Sequence, residues 1–226
     1  MEIITEKPEW FIKALTVKHK SDFVKVSGAD IHYMEWGDKT NPSVIMLHGN
    51  HAHAYWFQFI GALLSDKYHF VVMSFSGMGD SDWRSFYTRD TFVEDVLGVL
   101  EAIPLQKPVV IGHSFGGLVA LLTASYYSSK MSGLLLVDYI VNPPEKHIEW
   151  YKDWPQSKPP KIRNSKEEKK TIIFSSHRME EVQSLADNIG VIYNGKLIFS
   201  GSKTDFESKI DSVSYDDTLI QLINNA

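Results

Sequence analysis

The residues most suited to chemistry in this sequence are the five from Gly112 to Gly116, which read Gly-His-Ser-Phe-Gly. They match the pattern G-x-S-x-G, in which a serine occupies a tight turn between a strand and a helix. The apolar run 108–113 predicts that strand, and the run 115–129 predicts the helix. Small flanking residues permit the turn, and the start of a helix stabilises negative charge beside it. The pattern therefore predicts that Ser114 is a nucleophile.

The elements that must position Ser114 alternate along the chain between short apolar strands and amphipathic helices. Apolar strands separated by helices are typical of a parallel sheet that is covered on both faces. The sequence therefore predicts an α/β fold, with a mostly parallel sheet and helices on both faces. The predicted strands are 23–26, 31–36, 43–47, 70–75, 108–113 and 133–141, and the predicted helices are 54–66, 90–103 and 115–129.

Residues 23–141 resemble the α/β-hydrolase family, in its lipase and esterase branch. The resemblance lies in the order and spacing of the elements as well as in the turn at Ser114. The run Leu-His-Gly-Asn at 47–50 resembles the family's oxyanion loop. The run Gly-Met-Gly-Asp-Ser-Asp at 77–82 resembles its glycine-rich turn, although Ser74 stands where an Asp is usual.

The resemblance implies a catalytic triad whose members follow one another in the order Ser, acid, His. The oxyanion hole would consist of the backbone N–H groups of Phe115 and Asn50. Asp138 closes the sixth strand and is a candidate acid, with the alternative that it is a strand-end carboxylate bonded to nearby backbone amides. Only His147 and His177 follow it, and neither lies on a recognisable eighth strand. We therefore expect an incomplete triad and weak or absent activity.

Three histidines follow the third strand closely, at His48, His51 and His53, and raise the question of a metal site. The His-Gly start of an oxyanion loop accounts for His48, and the other two belong to a loop that we expect to be exposed. No carboxylate pattern accompanies them. We therefore expect no metal and no other cofactor.

Residues 171–201 resemble a different family, namely the C-terminal part of an ABC transporter ATPase domain. They read as a strand, a histidine, a helix with Glu-Glu-Val and Leu-Ala-Asp, and a hairpin that turns on Asn-Gly. In this resemblance His177 is the switch histidine. The run 190–196 satisfies G-x-x-x-x-G-K, but Leu197 follows where Ser or Thr should hold Mg²⁺. No phosphate loop, signature motif or Walker B carboxylate precedes His177, and we expect no ATP hydrolysis.

The chain is thus predicted to be a chimera, with hydrolase-like sequence to about residue 168 and an ATPase-like tail from about residue 169. The strand at 171–176 could pair beside the sixth strand as a substitute seventh strand. His177 would then be the candidate base, although two strand spacings, about 9–10 Å, separate it from Ser114. The predicted parts are a core at 1–142, a linker or start of a cap at 143–170, and a tail at 171–226 packed on the same sheet.

The composition excludes several classes of partner and chemistry. A net charge of −5 gives no electrostatic reason to expect nucleic acid or an anionic membrane. The absence of Cys excludes disulfides and a thiolate nucleophile. No signal peptide and no apolar run of about 20 residues is recognisable. We expect a cytoplasmic protein with a small ester or acyl substrate, and self-association through apolar surface that a missing cap would expose.

Overall fold

The computed structural model describes residues 7–139, 171–176, 179–208 and 214–224, apart from the side chains of residues 180 and 181. These residues fall into two compact units that divide between residues 175 and 176. The first unit contains the large sheet, and the second contains a hairpin with three helices. Each unit is described by itself below.

Seven strands form one sheet in the first unit. They are β1 (Lys20–Val26), β2 (Ala29–Trp36), β3 (Ser43–Leu47), β4 (His69–Met73), β5 (Val109–His113), β6 (Gly133–Val137) and β7 (Thr171–Phe174). The strand order is β1-β2-β4-β3-β5-β6-β7. Strand β2 is antiparallel to both of its neighbours, and the pairings from β4 to β7 are parallel. The predicted mostly parallel sheet is confirmed.

The last strand of this sheet, β7, pairs in parallel with β6 opposite Gly133–Leu136. The prediction that the strand at 171–176 pairs beside the sixth strand is thus confirmed over residues 171–174. The side chains of Ile172 and Phe174 are half-buried, whereas Ile173 is exposed. Such alternation is typical of an edge strand that is covered on one face only.

Helices cover both faces of the sheet. They are α1 (Glu9–Leu15), α2 (Gln58–Leu64), α3 (Arg89–Ala102) and α4 (Phe115–Tyr127), with 3-10 turns at Ala54–Phe57 and Ser128–Lys130. One face, which includes Trp36 and Met46, packs against residues of α1 and α2. Because strand side chains alternate, Ile45 and Leu47 point to the opposite face, where α3 and α4 contact each other and the sheet. Within the part of the chain that the structure describes, no helix is both long and apolar enough to cross a membrane.

The second unit is built on an antiparallel hairpin. Its elements are α5 (Met179–Leu185), β8 (Asn188–Tyr193), β9 (Lys196–Ser202), α6 (Lys203–Glu207) and α7 (Tyr215–Asn224). The turn residues Asn194 and Gly195 have φ of 46° and 75°, as a type I′ turn requires. The predicted Asn-Gly hairpin is confirmed, so the G-x-x-x-x-G-K run leads into a strand rather than a helix. The buried core of the unit consists of Ile189, Val191, Phe199 and Phe206.

Candidate active site

Ser114 lies at the junction between β5 and α4 with φ of 52° and ψ of −116°. A positive φ is uncommon for any residue other than glycine. The backbone N–H of Ser114 donates to the carbonyl of Val137 (2.9 Å), and its own carbonyl accepts from the N–H of Gly117 (2.8 Å). Ser114 therefore ends the strand pairing and begins the helix. The strand-turn-helix context that the sequence predicts is confirmed.

Both glycines of the pattern occupy places where a side chain would meet backbone atoms. A Cβ on Gly112 would stand 2.3 Å from the carbonyl oxygen of Gly116. A Cβ on Gly116 would stand 2.5 Å from the carbonyl oxygen of Leu47 and 2.6 Å from that of His48. Only glycine fits at such distances. The second approach also holds the start of α4 against the oxyanion loop, residues 47–50.

The oxyanion loop continues into a turn beside Ser114. A Cβ built on Gly49 would stand 3.3 Å from Cβ of Ser114. The carbonyl of Gly49 accepts from the N–H of Ala52 (3.2 Å), and His51 between them has φ of 57°, as the third residue of a type II turn requires. Asn50 is exposed, and its side-chain oxygen accepts from the N–H of His51. The structure thus brings the loop to the predicted nucleophile.

His48 is completely buried, and both of its ring nitrogens are hydrogen-bonded. Nε2 accepts from the backbone N–H of Phe75 (3.1 Å), so the proton of the neutral ring is on Nδ1, which donates to the carbonyl of Gly49 (2.7 Å). Burial lowers the pKa of His48 to about 4, and the hydrogen bond to Gly49 opposes this effect. Neither nitrogen is left for a metal. Among the described residues, no three His, Asp or Glu side chains are placed to share a metal ion.

Phe115, whose N–H is the other predicted oxyanion donor, is the first residue of α4. Its ring meets Phe75 at a centroid distance of 5.6 Å and Phe92 at 5.0 Å, both edge to face. These contacts tie the start of α4 to the end of β4 and to α3. The amino end of a 13-residue helix, with its partial positive charge, is therefore held beside Ser114.

Asp138 follows β6 directly and lies at the same sheet edge as Ser114. His113 is paired with Val137 in the sheet, so Ser114 and Asp138 are the next residues along neighbouring parallel strands. Asp138 is exposed, has φ of 51°, and donates its backbone N–H to the Ser175 hydroxyl (2.7 Å). Between the described residues there is no hydrogen bond from a histidine to its carboxylate.

The base predicted from the sequence, His177, lies outside the described residues, as does His147. Of the histidines that the structure does describe, none is hydrogen-bonded to Ser114. The Nδ1 atoms of His53 and His113 are buried without a hydrogen-bond partner in the described part of the chain. The structure therefore places the predicted nucleophile, the loop and the acid candidate at one edge, but assigns no base.

An ion pair between the fully buried Asp95 and the partly buried Arg84 has no counterpart in the sequence prediction. Asp95 of α3 is fully buried and accepts from the backbone N–H of Ser76 (2.9 Å) and from the Arg84 guanidinium (2.7 Å). Arg84 also donates to the carbonyls of Val26 and Ser27. The contacts fasten the loop after β4 to α3 and to the first hairpin. The sequence signal is an acidic residue on the otherwise apolar face of α3.

Comparison with known proteins agrees with this architecture. The family described as "alpha/beta hydrolase fold" matches residues 42–183, which run from β3 through β7 into α5. Epoxide hydrolase 4 of Homo sapiens is 28% identical over 119 residues, covering 51% of this chain and 33% of that protein. Serine hydrolase-like protein of Danio rerio is 33% identical over 106 residues, covering 46% of this chain and 32% of that protein.

Solved structures show the same fold. A crystal structure of a membrane phospholipase A, described as a bacterial virulence factor, superposes with a TM-score of 0.54 at 27% identity. The superposition covers 60% of this chain and 44% of that one. This chain spans between about a third and a half of the length of the curated relatives it matches. The family match nevertheless covers more than half of the chain, and the chain therefore belongs to the α/β-hydrolase fold family.

Proposed function

We propose that this chain is a serine hydrolase scaffold for esters or other small acyl substrates, with Ser114 as its nucleophile. The observation that carries the proposal is the backbone conformation of Ser114, held at φ of 52° and ψ of −116° between β5 and α4. Such conformations persist only where the surroundings enforce them, and they concentrate at active sites. The name of the serine hydrolase-like relative supports a serine as the attacking group.

The chemistry of this proposal is acyl transfer. Ser114 Oγ attacks the acyl carbon and passes its proton to a base, and the leaving alcohol departs with that proton. Water then hydrolyses the acyl-enzyme by the reverse sequence of proton transfers. The negative charge on the substrate oxygen would be stabilised by the N–H groups of Phe115 and Asn50 and by the amino end of α4.

In this proposal Asp138 is the acid and His177 the candidate base, and the activity is weak because two strand spacings, about 9–10 Å, would separate His177 from Ser114. Loss of one triad member lowers the rate of such enzymes by several orders of magnitude, and the oxyanion hole and substrate binding retain a remainder. No histidine in the described part of the chain is hydrogen-bonded to Ser114, which supports this expectation. Metals and other cofactors have no part in the proposed reaction.

The alternative is a non-catalytic chimera, in which residues from about 169 onward derive from an ABC transporter ATPase domain. The second unit, which begins at residue 176, has a buried core of its own, and this core supports a separate origin for that part of the chain. In either proposal the chain works in the cytoplasm, hydrolyses no ATP, and binds no nucleic acid. Self-association through exposed apolar side chains is part of both proposals.

Turnover of a short-chain nitrophenyl ester tests the proposed function. We expect the parent chain to exceed the uncatalysed rate, Ser114→Ala to fall well below the parent, and the exposed control Ser132→Ala to match the parent. Equal rates for the parent and Ser114→Ala would overturn the enzyme proposal and favour the chimera. With activity present, His177→Ala should abolish it, and survival of activity would remove His177 as the base.

A further inference from the structure

The carbonyl oxygen of Gly49 is held by two donors. The Nδ1–H of His48 reaches it at 2.7 Å, and the backbone N–H of Ala52 reaches it at 3.2 Å. Because the N–H of Phe75 occupies Nε2 of His48, the ring must present its proton at Nδ1. The ring is fully buried and cannot exchange this contact for water.

A held carbonyl also fixes the direction of the next N–H. The peptide bonds of the described residues are trans, and in a planar trans peptide the C=O and N–H groups point in opposite directions. The direction of the Gly49 carbonyl therefore sets the direction of the Asn50 N–H. We propose that His48 is a positioning residue, which holds the Gly49–Asn50 peptide so that the Asn50 N–H faces the oxyanion formed above Ser114. The catalytic role of this positioning rests on the proposed function, in which an oxyanion forms above Ser114.

Within the described part of the chain, only His48 and the N–H of Ala52 are hydrogen-bonded to the Gly49–Asn50 peptide. Gly49 has no side chain to limit rotation of the peptide that follows it. Asn50 is exposed, and its side chain bonds only within the turn, to the N–H of His51. A flipped peptide would present a carbonyl oxygen instead of an N–H group, and a carbonyl would repel the oxyanion.

Phe75 connects the two proposed oxyanion donors. Its backbone N–H fixes the tautomer of His48, and its ring packs edge to face on Phe115. The Asn50 donor, through His48, and the Phe115 donor therefore both depend on the end of β4. This connection positions the two donors relative to one another.

Two substitutions of His48 separate this positioning from simple packing. His48→Asn retains an N–H donor at the position of Nδ1, but loses the acceptor for Phe75. His48→Gln retains an acceptor near the position of Nε2, but loses the donor to Gly49. Each variant loses one of the two hydrogen bonds of the buried ring, so a purely structural role predicts a loss of stability in both but no selective loss of oxyanion binding in His48→Gln.

Binding of phenylboronic acid gives the catalytic readout. Its boron forms a bond to Ser114 Oγ, the hydroxyl proton leaves to solvent, and a boronate oxygen takes the oxyanion position. We expect His48→Gln to bind at least 10-fold more weakly than His48→Asn, and to lower kcat more than it changes KM. Equal affinity in the two variants would contradict the proposal that His48 positions the Gly49–Asn50 peptide.

A second readout is independent of chemistry. Residual dipolar coupling of the Asn50 amide reports the direction of its N–H bond. We expect His48→Asn to keep the parent's coupling and His48→Gln to change it, with the couplings of β3 and β5 unchanged in both. The same coupling in all three proteins would overturn the inference. Parent protein that binds no boronate through Ser114 would instead overturn the proposed function, and the coupling would still decide whether His48 positions the peptide.

Discussion

Gly49 lies against Ser114, and a Cβ built on Gly49 would stand 3.3 Å from Cβ of Ser114 and 3.0 Å from Nδ1 of His113. The contact joins the end of β3 to the end of β5, although 65 residues of sequence separate the two positions. It leaves little room for a side chain in the oxyanion loop. The loop can therefore approach Ser114 only with its backbone.

We predict that Gly49→Ala lowers nitrophenyl ester turnover or phenylboronate affinity about 10-fold or more, because the added methyl group must displace Ser114, His113 or the loop. Gly133→Ala is the matched control, since its Cβ would meet no atom closer than 3.5 Å. The measurement is phenylboronate titration of both variants beside the parent. Undiminished affinity in Gly49→Ala would contradict the assignment of this loop to the site.

The buried His48 predicts a pH dependence of stability. Burial lowers its pKa to about 4 in the folded protein, against an ordinary value of 6.5. As the pH falls from 6.5 to 4, the unfolded chain binds a proton that the folded protein does not, so the free energy of unfolding decreases with falling pH. The effect of this one group is about 3 kcal/mol over the whole window.

Urea unfolding of the parent and of His48→Asn at pH 7 and at pH 4.5 checks this prediction. The variant lacks the titrating ring, so its free energy of unfolding should change less between the two pH values than that of the parent. His32, whose pKa is also lowered by burial, titrates in both proteins and does not affect the comparison. Parallel pH profiles would contradict the buried, neutral state of His48.

The ion pair of Asp95 and Arg84 predicts a large loss of stability on truncation. Asp95→Ala removes the only carboxylate that the described residues offer to Arg84 and leaves the Ser76 N–H without its acceptor. Breaking one side of a buried pair costs about 3–5 kcal/mol. Glu101→Ala, which breaks the exposed pair of Glu101 and Lys130, should cost less than about 1 kcal/mol. Comparable losses in the free energy of unfolding of the two variants, measured by urea unfolding, would contradict a stabilising role for the pair of Asp95 and Arg84.

Exposed aromatic side chains near the site predict self-association. Trp83 is 80% exposed and Phe86 is 73% exposed, both in the loop that follows β4 at the carboxyl edge of the sheet. Apolar groups in contact with water favour association between copies. We expect sedimentation velocity to show a smaller associated fraction for the double variant Trp83→Ser, Phe86→Ser than for the parent. Replacement of the exposed Tyr126 on α4 by Ser serves as the control, and equal fractions in all three proteins would contradict the prediction.

Local features of the fold could be predicted from the sequence because they depend on neighbours in the chain. The turn at Ser114 follows from two glycines between an apolar strand and an apolar helix, and both elements form where the pattern indicates. The hairpin at Asn194 and Gly195 follows from the left-handed conformations that these residues tolerate. Strand pairing at β7 was predictable because a crossover returns a parallel strand to the same sheet.

The remaining parts of the site depended on contacts between distant positions. His48 meets the N–H of Phe75 across 27 residues of sequence, and Asp95 meets Ser76 across 19. In both contacts one partner is a backbone N–H group. Every residue except proline has such a group, so no sequence pattern indicates which one a side chain will bind. The sequence by itself determined the strand, turn and helix that present Ser114. Only the tertiary structure decided that His48 holds the oxyanion loop, because hydrogen-bond partners in a buried site are chosen by the packing of the whole sheet.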